Sequence, residues 1–163
     1  MEFVFILHIP KTADTSFTKN KSSAQEIHAM VRDMSIKKFL HTPVSKLFDN
    51  CQTRYLLKGL AAPCTNKVDD ALLPLVQRTL LTLPFFGITN RYNESVELLQ
   101  GVMGKKGKMR VSRDNKSRNR PGNYSLTSSE QEKLEQRLHQ DIELFRFAEN
   151  AFTARLKALR ANV

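Results

Sequence analysis

The chain has 163 residues, a formal net charge of +10 and a hydrophobic fraction of 40%, the size and composition of one folded domain rather than of a disordered segment. It contains no run of 18 apolar residues and no basic leader before a short apolar stretch, which excludes a membrane span and a secretory signal and points to the cytoplasm. Cys51 and Cys64 have neither metal-ligand spacing nor a disulfide framework, so reduced thiols and no metal are expected.

In chain order, residues 3–7 are an unbroken apolar run that predicts a buried strand over 3–9. Pro10 ends it, because proline cannot donate to a ladder. Lys11, Thr12, Thr15 and Ser16 come next, and helix-compatible sequence begins near Thr15. A strand, a short loop with a lysine and hydroxyls, and a helix N-terminus together suit a phosphate. Backbone N–H groups point at the anion, the helix dipole favours it, and the lysine adds a full charge. The glycines of a Walker A loop are missing.

Helical spacing is expected over 15–34, in a short turn over 35–40, and over 44–58 with Val44, Leu47, Phe48, Tyr55 and Leu56 facing inward. Residues 68–83 place Leu72, Leu75, Val76, Leu80 and Leu83 at helical steps, with Pro74 marking a start or kink. A short buried strand is expected over 85–89, and a helix over 93–103 with Val96, Leu99 and Val102 inward. A basic loop over 104–124 follows. Within it, eight cations between Lys105 and Arg120 face the single acid Asp114, a local charge of +7. Such a charge is a solvated face or a grip on a nucleotide phosphate, an acidic sugar chain or another anionic polymer. The last expected element is one helix over 127–161. It opens on a Thr127–Glu130 capping box and carries Leu134, Leu138, Ile142, Phe145, Ala148, Phe152, Leu156 and Leu159 as a packing stripe, with His139 at the surface.

The segment His8-Ile9-Pro10-Lys11-Thr12-Ala13-Asp14-Thr15-Ser16-Phe17 resembles the phosphosulfate loop of the carbohydrate sulfotransferases, written His-Ile-Pro-Lys-Thr/Cys-Ala/Gly-Gly-Thr-Ser/Thr-Phe/Leu. In that family the loop binds the 5′-phosphosulfate of PAPS (3′-phosphoadenosine 5′-phosphosulfate). Nine of the ten positions agree, and the tenth carries Asp14 where the family has glycine. A carboxylate about 5 Å from the phosphosulfate costs on the order of 3 kcal/mol at an effective dielectric near 20, so Asp14 is expected to weaken donor binding unless it points away or is neutralised.

Three further segments are similar to the same family in the same order. Asp49-Asn50-Cys51-Gln52-Thr53-Arg54-Tyr55-Leu56 is similar to its Asp-Asn-x-Gln-Thr-Arg-x-Leu segment. Phe86-Gly87-Ile88-Thr89-Asn90-Arg91-Tyr92-Asn93-Glu94-Ser95 is similar to its Phe-Gly-Leu/Ile-Thr-Glu-Arg segment, with Asn90 replacing the glutamate. The stretch from Ser125 through Phe145 follows its C-terminal pattern. The family's middle, with the 3′-phosphate motif and the general base, has only residues 17–48 to occupy. There His41, Pro43, Val44, Lys46 and Asp49 keep the Pro-Val pair but lack the arginine forks that grip phosphate.

The resemblance implies an α/β protein: a sulfotransferase fold reduced to a small parallel sheet remnant of strands 3–9 and 85–89 under mostly helical cover, in a single domain 1–163. Association into a homo-oligomer would cover the sheet's edge. It also implies sulfuryl transfer from PAPS to a hydroxyl of a carbohydrate-type acceptor, without a metal. Lys11 would be the catalytic residue. Pro10, Lys11, Thr12, Ala13, Asp14, Thr15 and Ser16 would hold the donor, and Arg113 and Arg120 would close over the nucleotide. None of His8, His28 and His41 occupies a family position for the general base. The alternative is a non-catalytic descendant whose basic loop binds an anionic partner.

Overall fold

The computed structural model describes residues 34–58, 68–104 and 126–162. Within them the helices are α1 (Ile36–Leu40), α2 (Cys51–Lys58), α3 (Leu73–Thr82), α4 (Tyr92–Val102), α5 (Ser128–Arg137) and α6 (His139–Ala161). Single 310 turns, Pro43–Phe48, Asp70–Leu72 and Thr89–Arg91, lead into α2, α3 and α4 respectively. The predicted strand 3–9, the donor loop with Lys11, and all but the first residue of the basic loop lie outside the described residues.

Local sequence explains most of the helix starts. The Ser35 hydroxyl accepts from the Lys38 N–H at the head of α1, and Thr42 caps the first 310 turn with Pro43 behind it, satisfying donors that a helix start leaves open. Asp69 accepts from the Ala71 N–H at 3.0 Å. Pro74 sits in the first turn of α3, where its missing N–H costs nothing.

The helix expected over 44–58 is two elements. Asp49 is extended and Asn50 takes the left-handed conformation at φ 48°, a region asparagine tolerates better than most residues. The chain therefore turns between the 310 segment and α2.

α6 is the central element, packed against α2, α3 and α4. Its inward ridge is Gln140, Leu144, Ala148, Phe152 and Leu156, all buried, at the four-residue step that stacks side chains on one helix face. Val76 and Leu80 of α3, Leu98 of α4, and Phe86 and Ile88 complete the core. Each large apolar side chain buried there contributes about 1.5–3 kcal/mol.

The α/β expectation is overturned: among the described residues there is no strand and no sheet, and the only β feature is a one-residue bridge at Ile88. Residues 85–89 do run inward and extended, with Phe86 and Ile88 essentially inaccessible. The Ile88 backbone groups, however, bond a nearby side chain. The Ser95 hydroxyl accepts from the Ile88 N–H at 2.8 Å and shares its proton between the carbonyls of Ile88 and Arg91, both at 3.0 Å. Thr89 already begins a 310 turn, which ends the extended stretch at Ile88.

The helix expected over 127–161 is also divided, at Leu138 (φ −105°, ψ 12°). No glycine or proline causes this. The Asp141 N–H, whose helical partner would be the Arg137 carbonyl, donates instead to Asn50 Oδ1 at 3.1 Å, and a side chain inserted into the ladder kinks a helix. Bonds from Leu138 N–H to the Leu134 carbonyl and from Ile142 N–H to the Leu138 carbonyl persist on either side, confining the break to one residue.

Candidate functional site

None of the expected donor-loop residues, Pro10, Lys11, Thr12, Ala13, Asp14, Thr15 and Ser16, falls within the described residues, nor do Arg113 and Arg120. The described part instead brings together the segments at 49–56 and 137–145 that are far apart in sequence.

Asn50 and Asp141 sit where the N-termini of α2 and α6 meet. Asp141 Oδ1 accepts from the Thr53 N–H at 2.8 Å and from the Thr53 hydroxyl at 2.7 Å, while Oδ2 accepts from the Gln52 N–H at 3.2 Å. These are open donors of the first turn of α2, and a carboxylate there also suits the helix dipole. Burial nevertheless pushes the Asp141 carboxyl above its ordinary range, against the downward pull of its bonds from Thr53 and Gln52 and of the nearby Arg54 charge. Arg54 itself is 6% exposed.

Arg137, the last residue of α5, gathers three segments. Its Nε lies 3.1 Å from both Asp49 oxygens and Nη2 2.7 Å from Oδ1. Nη1 donates to the Leu40 carbonyl at 3.3 Å and Nη2 to the Ser45 hydroxyl at 3.1 Å. A planar fork with five donors is suited to this, and a lysine is not. Asp49 is thus committed to Arg137.

Beside this joint, α1 and α5 border a shallow groove of about 350 Å³ lined by Lys37, His41, Glu130, Lys133 and Arg137 among others. Lys37 pairs with Glu130 at 3.1 Å. The capping-box bond from the Thr127 N–H and the Lys37 charge hold the Glu130 carboxyl down at about 2. The cations therefore outnumber the acid on this wall, and the groove can attract an anion only weakly, since Lys37 and Arg137 already have carboxylate partners.

The segment at 86–95 builds a second joint. Arg91 forks onto Glu94 at 2.6 and 3.0 Å, donates to the Thr153 hydroxyl at 2.7 Å, and lies 4.8 Å over the Phe152 ring. From α6, Arg155 donates to the Leu81 and Leu83 carbonyls and lies 4.8 Å over Phe86. Cations on aromatic faces at this distance are attractive.

Comparison with known protein families, with characterised proteins and with solved structures finds no match to the chain. Among the described residues no helix is long and apolar enough to cross a membrane, and no three His, Cys, Asp or Glu side chains are grouped to hold a metal ion. Sequence reasoning did not single out Arg137, and it read Asp141 only as part of the C-terminal pattern, without its bonds to the first turn of α2.

Proposed function

We propose that the chain is a PAPS-binding protein of the carbohydrate sulfotransferase type, transferring a sulfuryl group to a hydroxyl of a carbohydrate-type acceptor. Its donor site is the loop Pro10, Lys11, Thr12, Ala13, Asp14, Thr15 and Ser16, with Arg113 and Arg120 over the nucleotide. Lys11 neutralises charge on the leaving phosphate, and the hydroxyls and backbone N–H groups hold its oxygens. One observation supports this reading beyond the loop. The segment at 49–56 and the C-terminal segment ending at 141–145, each resembling the family, are joined by the Asn50, Thr53 and Asp141 hydrogen bonds.

A second function is favoured by Asp14, which sets a carboxylate in the donor loop. In that case the chain is non-catalytic and its basic segment 105–120 holds an anionic polymer. Calorimetric titration with PAP, the desulfo product, separates the two. Micromolar binding that is lost in Lys11→Ala and tightened in Asp14→Gly supports the donor site. No binding to folded protein overturns it and leaves the anionic-polymer role, which retention on heparin at moderate salt then checks.

A further inference from the structure

His139 is the first residue of α6 and stands at the kink between α5 and α6. Its Nδ1 lies 3.0 Å from the Gln136 carbonyl and its Nε2 lies 2.7 Å from Asp70 Oδ1. Both partners accept hydrogen bonds and neither donates one. A neutral imidazole carries one N–H and one lone pair, so it must leave one of these contacts unsatisfied; only the imidazolium donates to both. Asp70 opens the 310 turn Asp70–Leu72 that leads directly into α3. Gln140 ties the same place by donating from Nε2 to the Val68 carbonyl at 2.9 Å and to Asp70 Oδ1 at 2.5 Å. The approach to α3 is thereby fastened to the kink by two neighbouring side chains, and only one of them titrates near neutrality.

We propose that His139 is a proton-controlled clasp: charged, it fastens the turn Asp70–Leu72 to the α5–α6 kink through both ring nitrogens, and on losing its proton it gives up one of the two bonds and loosens that turn, which Gln140 continues to hold. The ionisable groups around the ring favour the charged form. Asp70 faces it from the 310 turn and Glu143 from the next turn of α6, while Asp69 caps the turn beside it and Asp141, two residues along, faces α2. The bond to Asp70 is the main cause of the raised His139 value, with the Gln136 carbonyl and Glu143 acting in the same sense. Asp70 is correspondingly lowered, first by Gln140 and then by His139. Because the folded value of the histidine is raised, the stabilisation is complete below its ordinary value of 6.5 and is lost as pH rises through the folded value.

The test is NMR titration of His139 in the full chain, together with amide hydrogen exchange of residues 70–76 between pH 5.5 and 8.5, corrected for intrinsic rates. The expected result is a His139 midpoint above 6.5 and a several-fold fall in protection of 70–76 through that same midpoint. In Asp70→Asn the midpoint drops towards the ordinary value and the step in protection disappears. In His139→Gln, which carries no charge, protection is low and independent of pH. A wild-type midpoint at or below 6.5 overturns the proposal. So does a raised midpoint without a step in protection, or a step that survives in both variants.

Discussion

Asn50 and Asp141 cap each other's helices. The Asn50 carboxamide accepts the Asp141 N–H in the first turn of α6, and the Asp141 carboxylate accepts N–H groups from the first turn of α2. Each residue satisfies donors that its partner's helix cannot satisfy internally, so the angle between the two helices is set by hydrogen bonds as well as by apolar packing. Asp141→Ala leaves those donors unpaired in a mostly buried place and should cost about 2–3 kcal/mol. Asn50→Ala loses one acceptor and the residue best suited to φ 48°, for about 1–2 kcal/mol. In urea unfolding the double variant should cost clearly less than the sum of the two, because the sites share partners. Strict additivity would mean that the two caps act independently.

This pair also explains what the sequence could and could not show. The capping box at Thr127–Glu130, the stop before Pro43 and the start at Pro74 depend on residues within four positions of one another, and all are legible. The kink at Leu138 depends on Asn50, 88 positions earlier, and no periodicity within residues 127–161 contains it. Its consequence is local. The expected stripe is buried at Leu134, Ala148, Phe152 and Leu156, but just beyond the kink Gln140 and Leu144 take the inward places and Ile142 and Phe145 are only half-buried. The strand expected at 85–89 is cut short by the 310 turn that begins at Thr89, and the Ser95 hydroxyl, seven residues on, bonds both backbone groups of Ile88. At the start of α3, Leu72 and Leu75 fit an inward spacing yet are 37% and 49% exposed, because the first turn there is 310 and the α-helical phase begins only at Leu73. The donor loop was legible as wording alone, and it lies outside the described residues.

Arg137 ties α1, the 310 turn Pro43–Phe48 and Asp49 to the end of α5 through one guanidinium. Arg137→Lys keeps the charge but cannot hold a carboxylate, a carbonyl and a hydroxyl at once. It should lose about 1 kcal/mol of stability in chemical unfolding, and Arg137→Ala about 2–3 kcal/mol, with Asp49 left unpaired. Increased amide exchange at residues 38–45 in either variant locates the loss. Unchanged exchange there would show that α1 is held by other contacts.

Two carboxylates give opposite responses to acid. Glu130 is depressed from 4.5 to about 2 by the Thr127 N–H first and by Lys37 second. Its contribution is therefore complete above 4.5 and is lost as pH falls through about 2. Asp141 is raised above 3.8 by burial, so its effect has the other sign: it is complete below 3.8 and lost as pH rises through the folded value. Stability measured from pH 1.5 to 6 should lose part of its acid-side fall in Glu130→Gln, and part of its decline at higher pH in Asp141→Asn. If Glu130→Gln leaves the acid limb unchanged, the capping box does not contribute to folding stability.

Ser95 is the one side chain that serves both backbone groups of Ile88, and Gly87 lies directly against it. A Cβ on Gly87 would stand 3.1 Å from Ser95 Cβ and 3.2 Å from Oγ, tighter than ordinary contact, at a place closed on the other side by the Phe85 ring. Ser95→Ala removes the hydroxyl and strands the buried Ile88 N–H, a loss of about 1–3 kcal/mol. Gly87→Ala keeps the hydroxyl but pushes it off its position, and overpacking of this kind costs about 1–3 kcal/mol. Since both changes act on the same bond, the double variant should be little worse than the more damaging single one. Thermal unfolding of the three variants checks this: fully additive losses would show that Gly87 matters for its own backbone and not for the seat of Ser95.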